Sequence, residues 1–232
     1  MTSPIGTALR LDHLEALAPA TQVALARLAT RSWIGETYLA GSAALALYTG
    51  HRPVRDLDFM TQANRLTPQE RRDVLGDLLA MDPETRVETA RDGYLFARLA
   101  GDVALRLFYY PYPLADPEQE LPTAAGVLVA SPVDLGLMKL GAIISRGSKR
   151  DFVDLFLLCR HLDLEHLLRR AEDKFGHVGD FALQALKGLA DRSAAEGEPM
   201  PRLAQPLTWD EVQAWLDERV RTLGRAHAGL AE

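Results

Sequence analysis

Apolar residues recur at helical spacing from Leu11 to Leu28 and then give way to shorter runs of two kinds. The first recurrence predicts an opening amphipathic helix. After it, "TYLAG" predicts a short strand. "SAALALYTG" predicts a helix that begins at Ser42, whose hydroxyl suits a cap, and stops at Gly50. "DLDFMT" is a strand by alternation, and "TPQERRDVLGDLLAM" a helix with Thr67 as cap and Pro68 in its first position. "TRVETA", "GYLFARLA" and "DVALRLFYY" are rich in β-branched and aromatic residues, with "AGD" (residues 100–102) as the tight turn of a hairpin.

A proline-rich stretch, "PYPLADPEQELP", interrupts this alternation and leads through the short apolar run "GVLVA" to Ser131. Beyond it the pattern is helical: "SPVDLGLMKLGAIIS", "SKRDFVDLFLLCRHL", "DLEHLLRRAEDKFG", "DFALQALKGLADR" and "TWDEVQAWLDERVRTLG", with "AAEGEPMPRLAQP" as a loop before the last. The expected architecture is α/β (α+β): a small mixed β-sheet flanked by helices over residues 1–125, then a helical C-terminal domain over 126–232.

Composition changes this picture little. Hydrophobic residues at 47% and charged residues at 25% describe an ordinary globular chain. Arg10, Asp12 and Glu15 fall where a signal peptide needs an apolar block, and no later run is long enough to span a membrane. A cytoplasmic protein is expected. The single cysteine, Cys159, cannot form an internal disulfide or a zinc site alone, and its apolar neighbours predict an inert thiol. A net charge of -6 argues against holding nucleic acid mainly by charge, although "SRGSKR", residues 145–150, is a local basic segment.

The candidate chemistry lies in "DLDF". Residues i and i+2 of a strand share a face, so Asp56 and Asp58 present two carboxylates side by side. Like charges held that close repel unless a cation neutralises them. Mg²⁺ or Mn²⁺ suits hard oxygen ligands, and Mg²⁺ is characteristically held by one or two carboxylates together with substrate phosphates. The bland reading is a strand edge or turn with Arg55 offsetting the charge. Upstream, Gly41 lets a phosphate approach the backbone, Ser42 offers a hydroxyl, and the following helix aims amide N–H groups at an anion.

Gly41-Ser42, thirteen residues, then D-x-D resembles the signature of the DNA polymerase beta-like nucleotidyltransferases. Within them, "GSAALALYTGHRPVRDLDF" is similar to the abortive-infection AbiEii type, several of which act as toxins in toxin-antitoxin pairs. "FYYPYPL" (residues 108–114) and "KLGAIISRGSKRDFVDLFLL" are similar to that family's Tyr-Pro segment and its downstream lysine and aspartate motif.

The resemblance implies a nucleotidyltransferase core with the active site between it and the helical domain. It implies transfer of a nucleoside monophosphate from an NTP to a tRNA 3′ end or a protein. Asp56 and Asp58 would hold Mg²⁺ (or Mn²⁺), with Lys139 and Asp154 completing the catalytic set. Gly41, Ser42, Lys139, Arg55 and Asp151 would contact the nucleotide, and Arg146, Lys149 and Arg150 an acceptor. A cognate antitoxin is the implied protein partner.

The residues themselves leave alternatives. Lys139 either snorkels to solvent or serves the site, and Asp151 is also a fair helix N-terminal acid after Ser148. Asp154 has a costlier setting, among Val153, Leu155 and two phenylalanines, and a Lys139–Asp154 ion pair is the expected resolution. Many relatives in the wider superfamily carry a third carboxylate on a later strand. Here that strand reads "VALRLFYY", with Asp102 at its turn as a doubtful substitute. Two rival readings follow: a nucleotide-sugar glycosyltransferase, and a catalytically inactive nucleotide- or partner-binding module.

Overall fold

Proline decides where the first helix starts. Pro19 cannot donate a backbone hydrogen bond and holds Ala18 extended, so α1 runs over Pro19–Leu28 and the expected helix from Leu11 is reduced to a single 3-10 turn at Leu14–Ala16. The computed structural model describes residues 9–227. They divide at Ser131/Pro132 into two compact units, one of strands and helices and one of helices alone.

In the first unit, β1 (Tyr38–Ala40) is wholly buried and passes directly into α2 (Gly41–Thr49). Ala43 through Tyr48 are all buried, as an element apolar on every side must be. Gly50 ends the helix at φ 60°, its amide bonded to the Ala46 carbonyl. The helix begins one residue earlier than expected, with Ala40 and not Ser42 at the cap position.

β2 (Leu57–Thr61) alternates as "DLDFMT" predicts: Leu57, Phe59 and Thr61 are buried, while Asp58 and Met60 are half-buried on the opposite face. α3 (Pro68–Met81) opens with a complete capping box, the Thr67 hydroxyl accepting from the Glu70 amide and the Glu70 carboxylate from the Thr67 amide. β3 (Arg86–Arg91), β4 (Tyr94–Leu99) and β5 (Val103–Tyr109) follow, the last two turning through Gly101 at φ 73°.

The proline-rich stretch contributes one short strand, β6 (Gln119–Glu120), and the apolar run "GVLVA" after it another, β7 (Leu128–Val129), both absent from the sequence reading. The seven strands form one mixed sheet in the order β3-β4-β5-β2-β1-β7-β6. β2 pairs parallel with β5 and β1 parallel with β7, the rest antiparallel. Residues 128–129 therefore belong with the sheet.

The second unit comprises α4 (Pro132–Ser145), α5 (Lys149–Leu158), α6 (Leu164–Phe175), α7 (Phe181–Ala190), α8 (Ser193–Glu196) and α9 (Trp209–His227). The short α8 occupies part of the expected loop. Asp134, at the start of α4, is fully buried and accepts from the equally buried Lys174 ammonium of α6 at 2.8 Å. The pair ties two helices together, and losing one partner would strand a charge in the core.

Candidate active site

Three neighbouring strands build the aspartate cluster. Register places Phe96 of β4 opposite Arg106 of β5, and Arg106 opposite Asp58 of β2. The Arg106 guanidinium donates through Nη1 to Asp58 Oδ1 at 2.9 Å and through Nη2 to Asp56 Oδ2 at 3.0 Å. Its plane lies 5.1 Å from the centroid of the Phe96 ring. Burial alone would pull the Arg106 pKa down. The hydrogen bonds and charges of Asp58 and Asp56 outweigh it and hold the pKa above its ordinary value.

Sequence reasoning missed Arg106. Its signal was a lone cation in the otherwise apolar alternation of "VALRLFY", but only the parallel β2–β5 pairing brings it to the aspartates. Asp56 stands just before β2, and the two carboxylates nevertheless face one guanidinium.

Gly41 is placed by the opposite pairing. Ala40 of β1 is the register partner of Asp58, so the next residue runs close beneath that carboxylate. A Cβ at position 41 would lie 2.7 Å from Asp58 Oδ2, and the backbone there has φ +62°. Both facts require glycine. Ser42 accepts a hydrogen bond from Nη2 of the largely buried Arg52 at 2.5 Å. The Arg55 side chain is exposed, and its carbonyl accepts from the Thr21 hydroxyl at 2.9 Å.

The donor set can be tested against a divalent metal. Among the described residues no group of three or more His, Cys, Asp or Glu side chains is arranged to hold one. The Arg106 bridge uses one oxygen of each carboxylate and leaves Asp56 Oδ1 and Asp58 Oδ2, and both side chains are accessible, at 43% and 23%. Two carboxylate oxygens fit an Mg²⁺ that completes its shell with phosphates and water, not an all-protein cage.

A second polar cluster lies within the helical unit. Lys139 of α4 donates to Asp154 Oδ2 at 2.7 Å and to Asp151 Oδ1 at 3.1 Å, both on α5. The expected Lys139–Asp154 pair is thus present, with both carboxylates fully buried and the ammonium nearly so. Asp151 is further held by Arg146 through two bonds of 2.7 and 2.8 Å. The Ser148 hydroxyl donates to it at 2.6 Å and makes no cap bond to an amide, so the expected Ser148 cap is replaced by a carboxylate contact. Burial alone would raise the Asp151 pKa; Arg146, Lys139 and Ser148 together bring it down to about 2.

The three basic residues of "SRGSKR" differ in setting. Lys149 is buried, donates to the Glu196 and Glu198 carbonyls at 3.3 and 2.5 Å, and lies 5.0 Å from the Trp209 ring centroid. Arg146 is committed to Asp151, and Arg150 is exposed.

Comparison with known proteins bears on both clusters. Residues 23–214 match the family described as "Nucleotidyl transferase AbiEii toxin, Type IV TA system". The chain is 31% identical over 204 residues to protein aq_aa25 of Aquifex aeolicus (strain VF5), covering 85% of this chain and 93% of that one. Its fold is similar to that of MenT4, nucleotidyltransferase toxin Rv2826c from Mycobacterium tuberculosis H37Rv, with a TM-score of 0.59 at 18% identity over 91% of this chain and 84% of that one. A family match that takes in Gly41, the aspartates, Lys139 and Asp154 together places this chain in the AbiEii nucleotidyltransferase toxin family.

Proposed function

We propose that the protein transfers a nucleoside monophosphate from an NTP to an acceptor, a tRNA 3′ end or a protein, releasing pyrophosphate. It would act in the cytoplasm as the toxin of a toxin-antitoxin pair, with the cognate antitoxin as partner. The observation that carries this reading is that Asp56, just before β2, and Asp58, on it, face one guanidinium, with Asp58 set against a glycine that has no room for a side chain. Among the described residues no helix is long and apolar enough to cross a membrane.

In this reading Asp56 and Asp58 hold Mg²⁺ through the oxygens Arg106 leaves unused. Bound there, the metal would offset charge on the triphosphate and polarise it for attack. Gly41 and the first turn of α2 offer space and amide N–H groups to phosphate oxygens, beside the Ser42 hydroxyl. Arg55, exposed near the aspartates in sequence, and Asp151 are assigned to the nucleotide. Lys139 has three N–H bonds and spends two on Asp151 and Asp154, so the third is available to a phosphate oxygen. Asp154 orients the ammonium. Catalysis of this kind is mostly positioning and electrostatic stabilisation.

Of the acceptor contacts, Arg150 is the best disposed, with Arg146 beside it and Lys149 acting through the α5 start it anchors. Arg150→Ala is expected to weaken RNA binding more at low than at high salt. Equal loss at both would remove that role.

The test is incubation with each α-³²P-labelled NTP, Mg²⁺ and bulk tRNA or cell extract, alongside Asp58→Asn. Label on one acceptor from one NTP, absent in the variant, supports transfer and names both substrates. The second reading, a catalytically inactive binding module, is favoured by one feature: the aspartates already have a counter-ion in Arg106. Mg²⁺-dependent NTP binding with no label under any condition would favour it.

A further inference from the structure

The Arg106 bridge has the form of a counter-ion that a metal must contend with. Two carboxylates one residue apart on a strand attract a divalent cation because they are accessible and mutually repelling. Here one guanidinium, from the neighbouring strand, spans both at 2.9 and 3.0 Å. A planar fork matches two carboxylate oxygens better than any other side chain can, and it cannot lose its proton to relieve the pair. It is also fixed from behind. Phe96 sits 5.1 Å from the guanidinium and is its register partner on β4, and Phe96 carries a second guanidinium, that of Arg98, at 5.5 Å. The aspartates therefore present a net charge of -1 with Arg106 instead of -2, and each has lost one ligand oxygen to it.

We propose that Arg106 is a positioning residue that holds the aspartate pair aligned while barring free divalent metal, so that the cation enters only together with the phosphates of a nucleotide. A bare Mg²⁺ or Mn²⁺ would meet two carboxylate oxygens beside a fixed positive charge, too little to replace its bound water. A cation already chelated by a triphosphate brings several negative oxygens of its own. These repay the repulsion from Arg106 and give the guanidinium a second anion to face. The order of binding is then set by the protein: nucleotide and metal together, never metal first. The inference depends on the nucleotidyl-transfer reading only for the identity of the ligand that carries the metal.

The test measures Mn²⁺ binding and needs no turnover, so failure of the labelling assay and failure of this inference are separate events. Wild-type protein is titrated with Mn²⁺ alone, followed by electron paramagnetic resonance, and again with a non-hydrolysable NTP analogue present. Arg106→Gln, Arg106→Lys and Arg106→Gln/Asp58→Asn are titrated in the same way, and each is checked for a cooperative melt. The expected result is weak Mn²⁺ binding by the free wild type. Affinity should rise roughly tenfold or more in Arg106→Gln, fall back when Asp58→Asn is added, and be intermediate in Arg106→Lys, which keeps the charge but loses the fork. Free wild-type protein that binds Mn²⁺ as tightly as Arg106→Gln, or as tightly without the analogue as with it, overturns the proposal. The wild-type comparison decides the matter even where a variant fails to fold.

Discussion

Asp58 and Arg106 are register partners on adjacent parallel strands and meet at 2.9 Å, the aspartate from a D-x-D motif and the arginine from a strand 48 residues further on. The contact is partly solvated, with side chains 23% and 27% exposed. Its energetic worth is therefore that of a surface pair, while its chemical consequence for the site is large.

From this it follows that Asp58→Asn should be nearly silent in stability. Arg106 keeps Asp56 and the Phe96 ring, so the cost is expected to stay within about 1 kcal/mol. Urea unfolding of the variant checks this, and a loss several times larger would mean that the cluster is part of the core. Nucleotidyl transfer should nonetheless disappear, which makes this substitution the cleanest inactive control.

Gly41→Ala is expected to damage the site out of proportion to its size. Its Cβ would stand 2.7 Å from Asp58 Oδ2 in a backbone of φ +62°. The left-handed strain costs about 1 kcal/mol, and the carboxylate must move to admit the methyl group. The melting temperature should fall only modestly, with Mg²⁺-dependent nucleotide binding lost. Unchanged nucleotide affinity would show that Asp58 Oδ2 is not a ligand.

Lys139→Ala is a poor control for catalysis, because it leaves Asp151 and Asp154 buried without their shared cation. Breaking such a cluster should cost on the order of 3 kcal/mol or more. Adding Asp154→Asn to Lys139→Ala is expected to recover part of that loss, and a double-mutant cycle by chemical denaturation measures the coupling. Strict additivity would argue that the two residues are not energetically paired.

Asp151 should make the protein acid-sensitive in a defined window. Its pKa is depressed from the ordinary carboxylate value, near 4, to about 2. The folded state therefore prefers the ionised form, and the stabilisation is complete above pH 4 and lost as pH falls through 2. That loss amounts to about 2 kcal/mol. Asp151→Asn should flatten the stability profile between pH 4 and pH 2 relative to wild type. Parallel profiles would assign the acid sensitivity elsewhere.

Cys159 should be unreactive. Burial, helped by the nearby negative charge of Asp163 and only partly opposed by Arg219, pushes its thiol up to about 12. Almost none is thiolate at pH 8, so alkylation by iodoacetamide should be slow until the chain is denatured. Cys159 is half-buried, and rapid labelling of native protein would contradict the raised thiol pKa.

Local chemistry carried much of the architecture in the sequence. The α3 capping box needs only Thr67, Pro68 and Glu70, and the left-handed stop at Gly50 needs only a residue without a Cβ. The alternation in "DLDFMT" needed no partner to place Asp58 opposite Leu57 and Phe59. Pro19 was equally local and shows the opposite lesson, since helical spacing from Leu11 was overruled by one missing amide hydrogen.

Pairing between distant segments was invisible, because hydrogen bonds between strands carry no mark in either strand's own pattern. The β2–β5 register alone made Arg106 the counter-ion of the aspartates, and the β1–β2 register alone made Gly41 the residue beneath Asp58. Tertiary packing also buried Lys149 against Glu196, Glu198 and Trp209, though in sequence it belongs to the local basic segment "SRGSKR". The sequence by itself determined which elements form and which residues carry charge, since those follow from spacing and side-chain chemistry within a few positions. Only the folded chain decided which charges meet, because that depends on contacts between residues tens of positions apart.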